Sequence, residues 1–134
     1  MSQQAQDMNA DVVIVGAGPG GASTAYHLAT LGIDVLLVDK ARFPRDKICG
    51  DGLTPAAVQE LSLMGVDTSG WARNRGLTVI VGGHTIHMEL PDQASLPGYG
   101  MTRARMDLDH ALVQRAQSAG ARLEEELTVT EALQ

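Results

Sequence analysis

Gly16, Gly18 and Gly21 stand in the spacing Gly-x-Gly-x-x-Gly, with Ala17 and Pro19 between them, and a hydrophobic run further on closes at Asp39, twenty-three positions after Gly16. Glycines so spaced turn the backbone itself into a binding surface. The first permits a tight turn, the second lets the main chain approach a pyrophosphate, and the third allows close packing of a helix on a strand. A helix that begins there offers free N–H groups and a partial positive charge to phosphates. A carboxylate at Asp39 would accept hydrogen bonds from adenosine ribose hydroxyls and repel a 2′-phosphate, which favours FAD or NAD over NADP. In a chain with 15 glycines the spacing alone is weak. Its specificity comes from the elements around it.

Those elements read as follows. Asp11-Val-Val-Ile-Val15 predicts a strand buried on both faces, leading directly into the glycines. Ala22, Ala25, Leu28, Ala29 and Leu31 then recur at helical spacing from about Gly20, and Gly32 stands where a helix ends in a left-handed residue. Ile33 and Val35-Leu-Leu-Val38 repeat the buried-strand pattern up to Asp39, completing a βαβ unit. Lys40 to Leu53 lacks periodicity and predicts a long loop of the functional kind. Thr54-Pro55 opens a short helix with Ala56, Ala57, Leu61 and Met64 as its apolar stripe and Gly65 at its end. Leu77 to Val81 and Thr85 to Leu90, joined across Gly82-Gly-His84, predict an antiparallel hairpin. Pro91 to Gly100 reads as a loop, Met106 to Ser118 as a helix stopped by Gly120, and Arg122 to Val129 as a third strand of the sheet. The expected fold class is α/β: a Rossmann-like βαβ unit with an inserted β-hairpin, in an incomplete doubly wound sheet. Residues 1–10 read as a flexible leader and 11–134 as a partial nucleotide-binding domain with no substrate domain.

Other residues with chemical capacity read more plainly. Cys49, beside Lys47, is taken as a small packed residue rather than a covalent catalyst. Lys40, Arg42, Arg45 and Lys47 are interleaved with Asp39, Asp46 and Asp51, and read equally as a phosphate or lipid-headgroup patch or as a solvated loop. His84 and His87 are three apart on a predicted strand, so they face opposite sides and cannot chelate one metal together. Neither a metal site nor a catalytic residue is assigned, and the absence of Gly-x-Ser-x-Gly removes the usual hydrolase signature. A formal charge of −6 opposes nucleic acid and anionic membrane as default partners. One cysteine permits no internal disulfide, and no apolar run approaches the ~18 residues of a spanning helix. A cytoplasmic chain is expected, with membrane contact, if any, peripheral.

Past Asp39 the pattern narrows. Phe43-Pro-Arg-Asp-Lys-Ile-Cys-Gly-Asp-Gly-Leu-Thr-Pro55 resembles the segment after the second strand in flavoproteins of the geranylgeranyl reductase family, which saturate isoprenoid chains of archaeal lipids and menaquinone. Arg105-x-x-Leu-Asp109 is similar to that family's Arg-x-x-Phe-Asp signature, with Leu108 in place of the commoner aromatic, and Gly120-Ala121 is a third match. The resemblance covers about Asp11 to Val129, the amino-terminal part of a family member. It implies FAD as cofactor. Gly16, Ala17, Gly18, Pro19 and Gly21 would line the pyrophosphate, with Asp39 at the adenosine ribose and Lys40 flanking it. Cys49, Gly50 and Gly52 would run along the ribityl and flavin half, Arg105 would reach the phosphates, and Val129 would lie at the adenine edge. An isoprenoid or quinone-lipid substrate is implied in the full-length family. Two other functions stay open: an aromatic hydroxylase or halogenase of the same broad flavoprotein group, and a non-catalytic remnant with a partial nucleotide site. Without a fourth strand, the first would be an exposed edge, which predicts self-association.

Overall fold

The computed structural model describes residues 8–132, so most of the expected leader lies outside the described residues. The elements in chain order are β1 (Val12–Val15), α1 (Pro19–Thr30), β2 (Val35–Val38), β3 (Gly52–Leu53), α2 (Pro55–Leu63), β4 (Ala72–Asn74), β5 (Gly76–Val81), β6 (His84–Glu89), β7 (Gly100–Thr102), α3 (Arg105–Ser118) and β8 (Arg122–Glu124). The described residues fall into two compact units, one of those up to Arg45 together with those from Asp109 onward, the other Asp46–Leu108.

In the first unit β1, β2 and β8 form a parallel sheet in the order β1-β2-β8, with Val12 opposite Val35 and Leu36 opposite Arg122. This is the 3-2-1 half of a doubly wound sheet. The central strand β2 is buried along its whole length, as its unbroken Val-Leu-Leu-Val requires. The expectation of two-faced burial fails for β1, where Val13 is 51% and Val15 63% exposed while Val12 and Ile14 are half-buried. The face of β1 that carries Ile14 lies against α1 at Gly21, and no described element covers the face that carries Val13 and Val15. Ala22 and Ala25 of α1 are buried, and α1 packs on β1 and β2. Leu112, Val113 and Ala116 of α3 complete the apolar interior of this unit. The helix ends as its glycines require: Gly32 at φ +81° after α1 and Gly120 at φ +111° after α3. The third strand is shorter than expected. It stops at Glu124, and Glu126 at φ +59° breaks the extended run, leaving Val129 outside any strand.

In the second unit Thr54 caps α2, its hydroxyl oxygen accepting from Ala57 N–H at 3.3 Å. Val58, Leu61 and Met64 are its buried stripe, and Ala56 is exposed, one step off the expected face. β3, β7 and β4 form an antiparallel sheet with β7 central. None of these three strands is signalled by periodicity, since two or three residues are too short to show alternation. The hairpin is the β5–β6 ribbon, turning at Gly82 and Gly83 with φ of +56° and +82°, the pair of left-handed residues of a type I′ turn. His84 therefore belongs to the strand, opposite Val81, and His87 lies opposite Thr78, which puts the two imidazoles on opposite faces.

Candidate functional site

The glycine loop takes the shape its spacing demands. Gly16 sits at φ +99° and donates its N–H to the Val38 carbonyl at 2.7 Å, so the turn is tied to the end of β2. A β-carbon on Gly21 would overlap the Gly16 carbonyl oxygen, which is the close helix–strand approach expected of the third glycine. Gly18 is the N-cap residue of α1 without any side-chain cap, Pro19 opens the helix, and the first turn carries no acidic residue. α2 spends its N-terminus on Thr54. α1 leaves the amides of Gly20 and Gly21 for an external anion.

Asp39 is buried and joins three parts of the unit. Its Oδ2 accepts from Ala17 N–H at 2.8 Å, its Oδ1 from Ala41 N–H at 2.9 Å, and its own N–H donates to the Glu124 carbonyl at 2.9 Å. An ionised carboxylate offers about four lone-pair directions, so each oxygen keeps capacity for a ribose hydroxyl. Lys40 beside it is exposed, and Val129 is 43% exposed in the stretch that follows the Leu127 N–H···O bond to Asp39.

Two residues not singled out as site residues from the sequence belong to this cluster. Arg45 is only 17% exposed, its Nη1 3.1 Å from Asp109 Oδ2 and its Nη2 3.9 Å from Asp39 Oδ2. Asp109 is fully buried. The reading of Arg45 as part of a solvated loop is thus corrected. A signal was present: Asp109 shares the helical stripe of Leu112, Val113 and Ala116, and a carboxylate on an apolar stripe needs a charged partner.

In the second unit Asp51, at φ +53°, organises a different cluster. Its carbonyl accepts from Arg103 N–H and its Oδ1 from Arg105 N–H, both at 3.1 Å, which pins the entry of α3. The Arg105 guanidinium beside Cys49, together with the Asp51 amide, holds that thiol below the usual cysteine range. Cys49 and Gly50 are exposed, and Gly52 starts β3 opposite Thr102. The expectation of a packed Cys49 is overturned, because the thiol faces solvent beside a guanidinium. Among the described residues no group of His, Cys, Asp and Glu is placed to hold a metal ion.

Comparison with known proteins decides what this glycine-loop fold is. A family described as FAD binding domain matches residues 9–134. The chain belongs to that family. As an FAD-binding domain it is 45% identical over 119 residues to menaquinone reductase of Mycobacterium tuberculosis, covering 87% of this chain and 29% of that protein. It is 34% identical over 121 residues to digeranylgeranylglycerophospholipid reductase 1 of Methanopyrus kandleri, covering 87% of this chain and 30% of that protein. Among solved structures, a myxobacterial FAD-dependent chondrochloren halogenase superposes with a TM-score of 0.77 at 26% identity, over 87% of this chain and 28% of the halogenase. The chain thus spans under a third of the length of these relatives. The two reductases are what this FAD-binding domain is similar to, each over less than a third of its own length. The site chemistry fits the cofactor: an uncapped helix N-terminus for its pyrophosphate, and a buried carboxylate with spare lone pairs for its ribose.

Proposed function

We propose that this FAD-binding domain serves an oxidoreductase that saturates carbon–carbon double bonds of an isoprenoid or quinone-lipid chain. The observation that carries the reading is the 45% identity to menaquinone reductase over 119 residues, 87% of this chain. FAD, when bound, supplies the two-electron chemistry. The residues of this chain bind and orient it. Gly16, Ala17, Gly18, Pro19 and Gly21 give the pyrophosphate a backbone surface. Asp39 takes the adenosine ribose with Lys40 at its flank, and Val129 lies toward the adenine edge. Cys49, Gly50 and Gly52 border the flavin half, and the Arg105 guanidinium adds positive charge at Cys49. The likeness to a halogenase supports a second reading, a monooxygenase or halogenase built on the same domain. Among the described residues no helix is long and apolar enough to cross a membrane, and we place the protein in the cytoplasm with peripheral access to lipid.

A chimera tests the reading. This chain replaces the matching segment of the mycobacterial menaquinone reductase, and the purified product is assayed for bound flavin and, after chemical reduction, for a mass gain of two hydrogens in menaquinone. Flavin retention with substrate saturation supports the reductase. A chimera that retains flavin yet leaves menaquinone unsaturated contradicts it.

A further inference from the structure

We infer that Arg45 is a positioning residue, held by the buried Asp109 so that it fixes the Asp39 carboxylate between the glycine loop and the ribose site. The inference rests on the reading of Asp39 as the ribose acceptor. One guanidinium addresses two carboxylates through different nitrogens, Nη1 toward Asp109 at 3.1 Å and Nη2 toward Asp39 at 3.9 Å. A planar fork shared in this way couples the orientation of the two acids, which a flexible ammonium cannot do. The fork is itself held. Its carbon lies 4.9 Å from the centre of the Phe43 ring, and Phe43 is buried with its N–H donated to Glu125 Oε1 at 2.7 Å.

The atom on which Arg45 acts is the informative detail. The Asp39 Oδ2 that faces the guanidinium is the same oxygen that accepts from Ala17 N–H in the glycine loop. Withdrawing Arg45 leaves that carboxylate held by the Ala17 and Ala41 amides alone, which loosens the tie to the loop and shifts the lone pairs left for a ribose diol. Asp109 supplies the counter-pull from a fully buried site on α3. The trio carries a net negative charge, which suits a neutral diol and disfavours a phosphate. Arg45 is therefore set apart from a phosphate clamp, whose guanidinium would have to be free of carboxylates.

The experiment follows the Ala17 amide resonance in the free chain by NMR, and titrates ADP and inorganic pyrophosphate by calorimetry. The variants are Arg45→Met, Arg45→Lys, and Arg45→Met combined with Asp109→Leu. The double variant removes the buried acid together with its partner, so the fold does not have to carry an uncompensated charge. The Ala17 resonance is expected to move in every variant, although neither altered residue hydrogen-bonds to Ala17. ADP affinity is expected to fall about tenfold in Arg45→Met and in the double variant, the scale of one weakened charge-assisted hydrogen bond, and less in Arg45→Lys. Pyrophosphate affinity is expected to stay within about twofold, since the helix amides that hold it are untouched. An unmoved Ala17 resonance with unchanged ADP affinity in a folded variant overturns the inference. So does an equal loss of ADP and pyrophosphate, which makes Arg45 a phosphate ligand. Failure of the unaltered chain to bind ADP would instead refute the ribose reading, and the Ala17 resonance would still decide whether Arg45 orients Asp39.

Discussion

Gly20 and Gly21 are neighbours in the first turn of α1, and alanine is expected to act on them in opposite directions. At Gly21 a β-carbon would overlap the Gly16 carbonyl oxygen, with the Gly16 carbonyl carbon at 3.1 Å and Ile14 Cγ2 at 3.3 Å. The obstacle is backbone, and it cannot yield easily: Gly16 N–H is bound to Val38 O at 2.7 Å and its φ is +99°. Overpacking of this kind costs about 1–3 kcal/mol, and the rigid obstacle puts Gly21→Ala near the upper end. At Gly20 an added β-carbon meets nothing within 4 Å and the backbone is helical, so reduced unfolded-state entropy should stabilise Gly20→Ala by about 0.4–1 kcal/mol. Urea denaturation reads both. With an m-value of about 1–3 kcal/mol/M, Gly21→Ala should lower the midpoint by roughly 1 M or more and Gly20→Ala should raise it by a few tenths, with m unchanged. Shifts of the same sign for the two variants, or an unshifted Gly21→Ala, would refute the packing argument.

Further tests probe other parts of the site and sheet. Asp39→Ala should weaken ADP binding by about 1.5–3 kcal/mol in calorimetry, and equal or tighter binding would remove Asp39 from the site. Alkylation of Cys49 by iodoacetamide should have its midpoint below that of an ordinary exposed thiol; Arg105→Leu should move it upward and slow the reaction at neutral pH, and an unchanged profile would dissociate Arg105 from the thiol. Leu37→Ala empties a fully buried position of β2 and should cost about 2–5 kcal/mol by thermal or chemical denaturation. The open edge at β1, with Val13 and Val15 exposed, should make the chain self-associate, and Val15→Lys should reduce this in light scattering. A monodisperse monomer at high concentration would count against the edge-strand reasoning.

The βαβ unit was legible because its signals are local. Four apolar residues in Val35–Val38, the three glycines and Asp39 each state a backbone or burial requirement within a few positions. The type I′ turn at Gly82-Gly83 was legible for the same reason, and so was the Thr54 cap. The sheet of β3, β7 and β4 was not. Its strands are two or three residues long, and their pairing joins Gly52 to Thr102 and Asn74 to Gly100 across long sequence separations. In the site, the backbone features of the loop were readable, whereas the Arg45 bridge was hidden because its meaning depends on Asp109, sixty-four residues away. Cys49 was misread for a related reason: whether a thiol packs or faces solvent is set by the fold around it, here by Asp51 and Arg105. Burial of β1 differs from the expectation because an apolar run states what a strand can bury, and no described element packs on the face that carries Val13 and Val15.

The central claim is that the glycine loop and Asp39 form an adenosine-diphosphate site of the FAD type. The most direct measurement is a calorimetric titration of the chain with ADP and, in parallel, with its 2′-phosphorylated analogue. Saturable one-to-one binding of ADP is expected, with clearly weaker binding of the analogue because Asp39 repels the added phosphate. No binding of ADP, or tighter binding of the 2′-phosphorylated form, would contradict it.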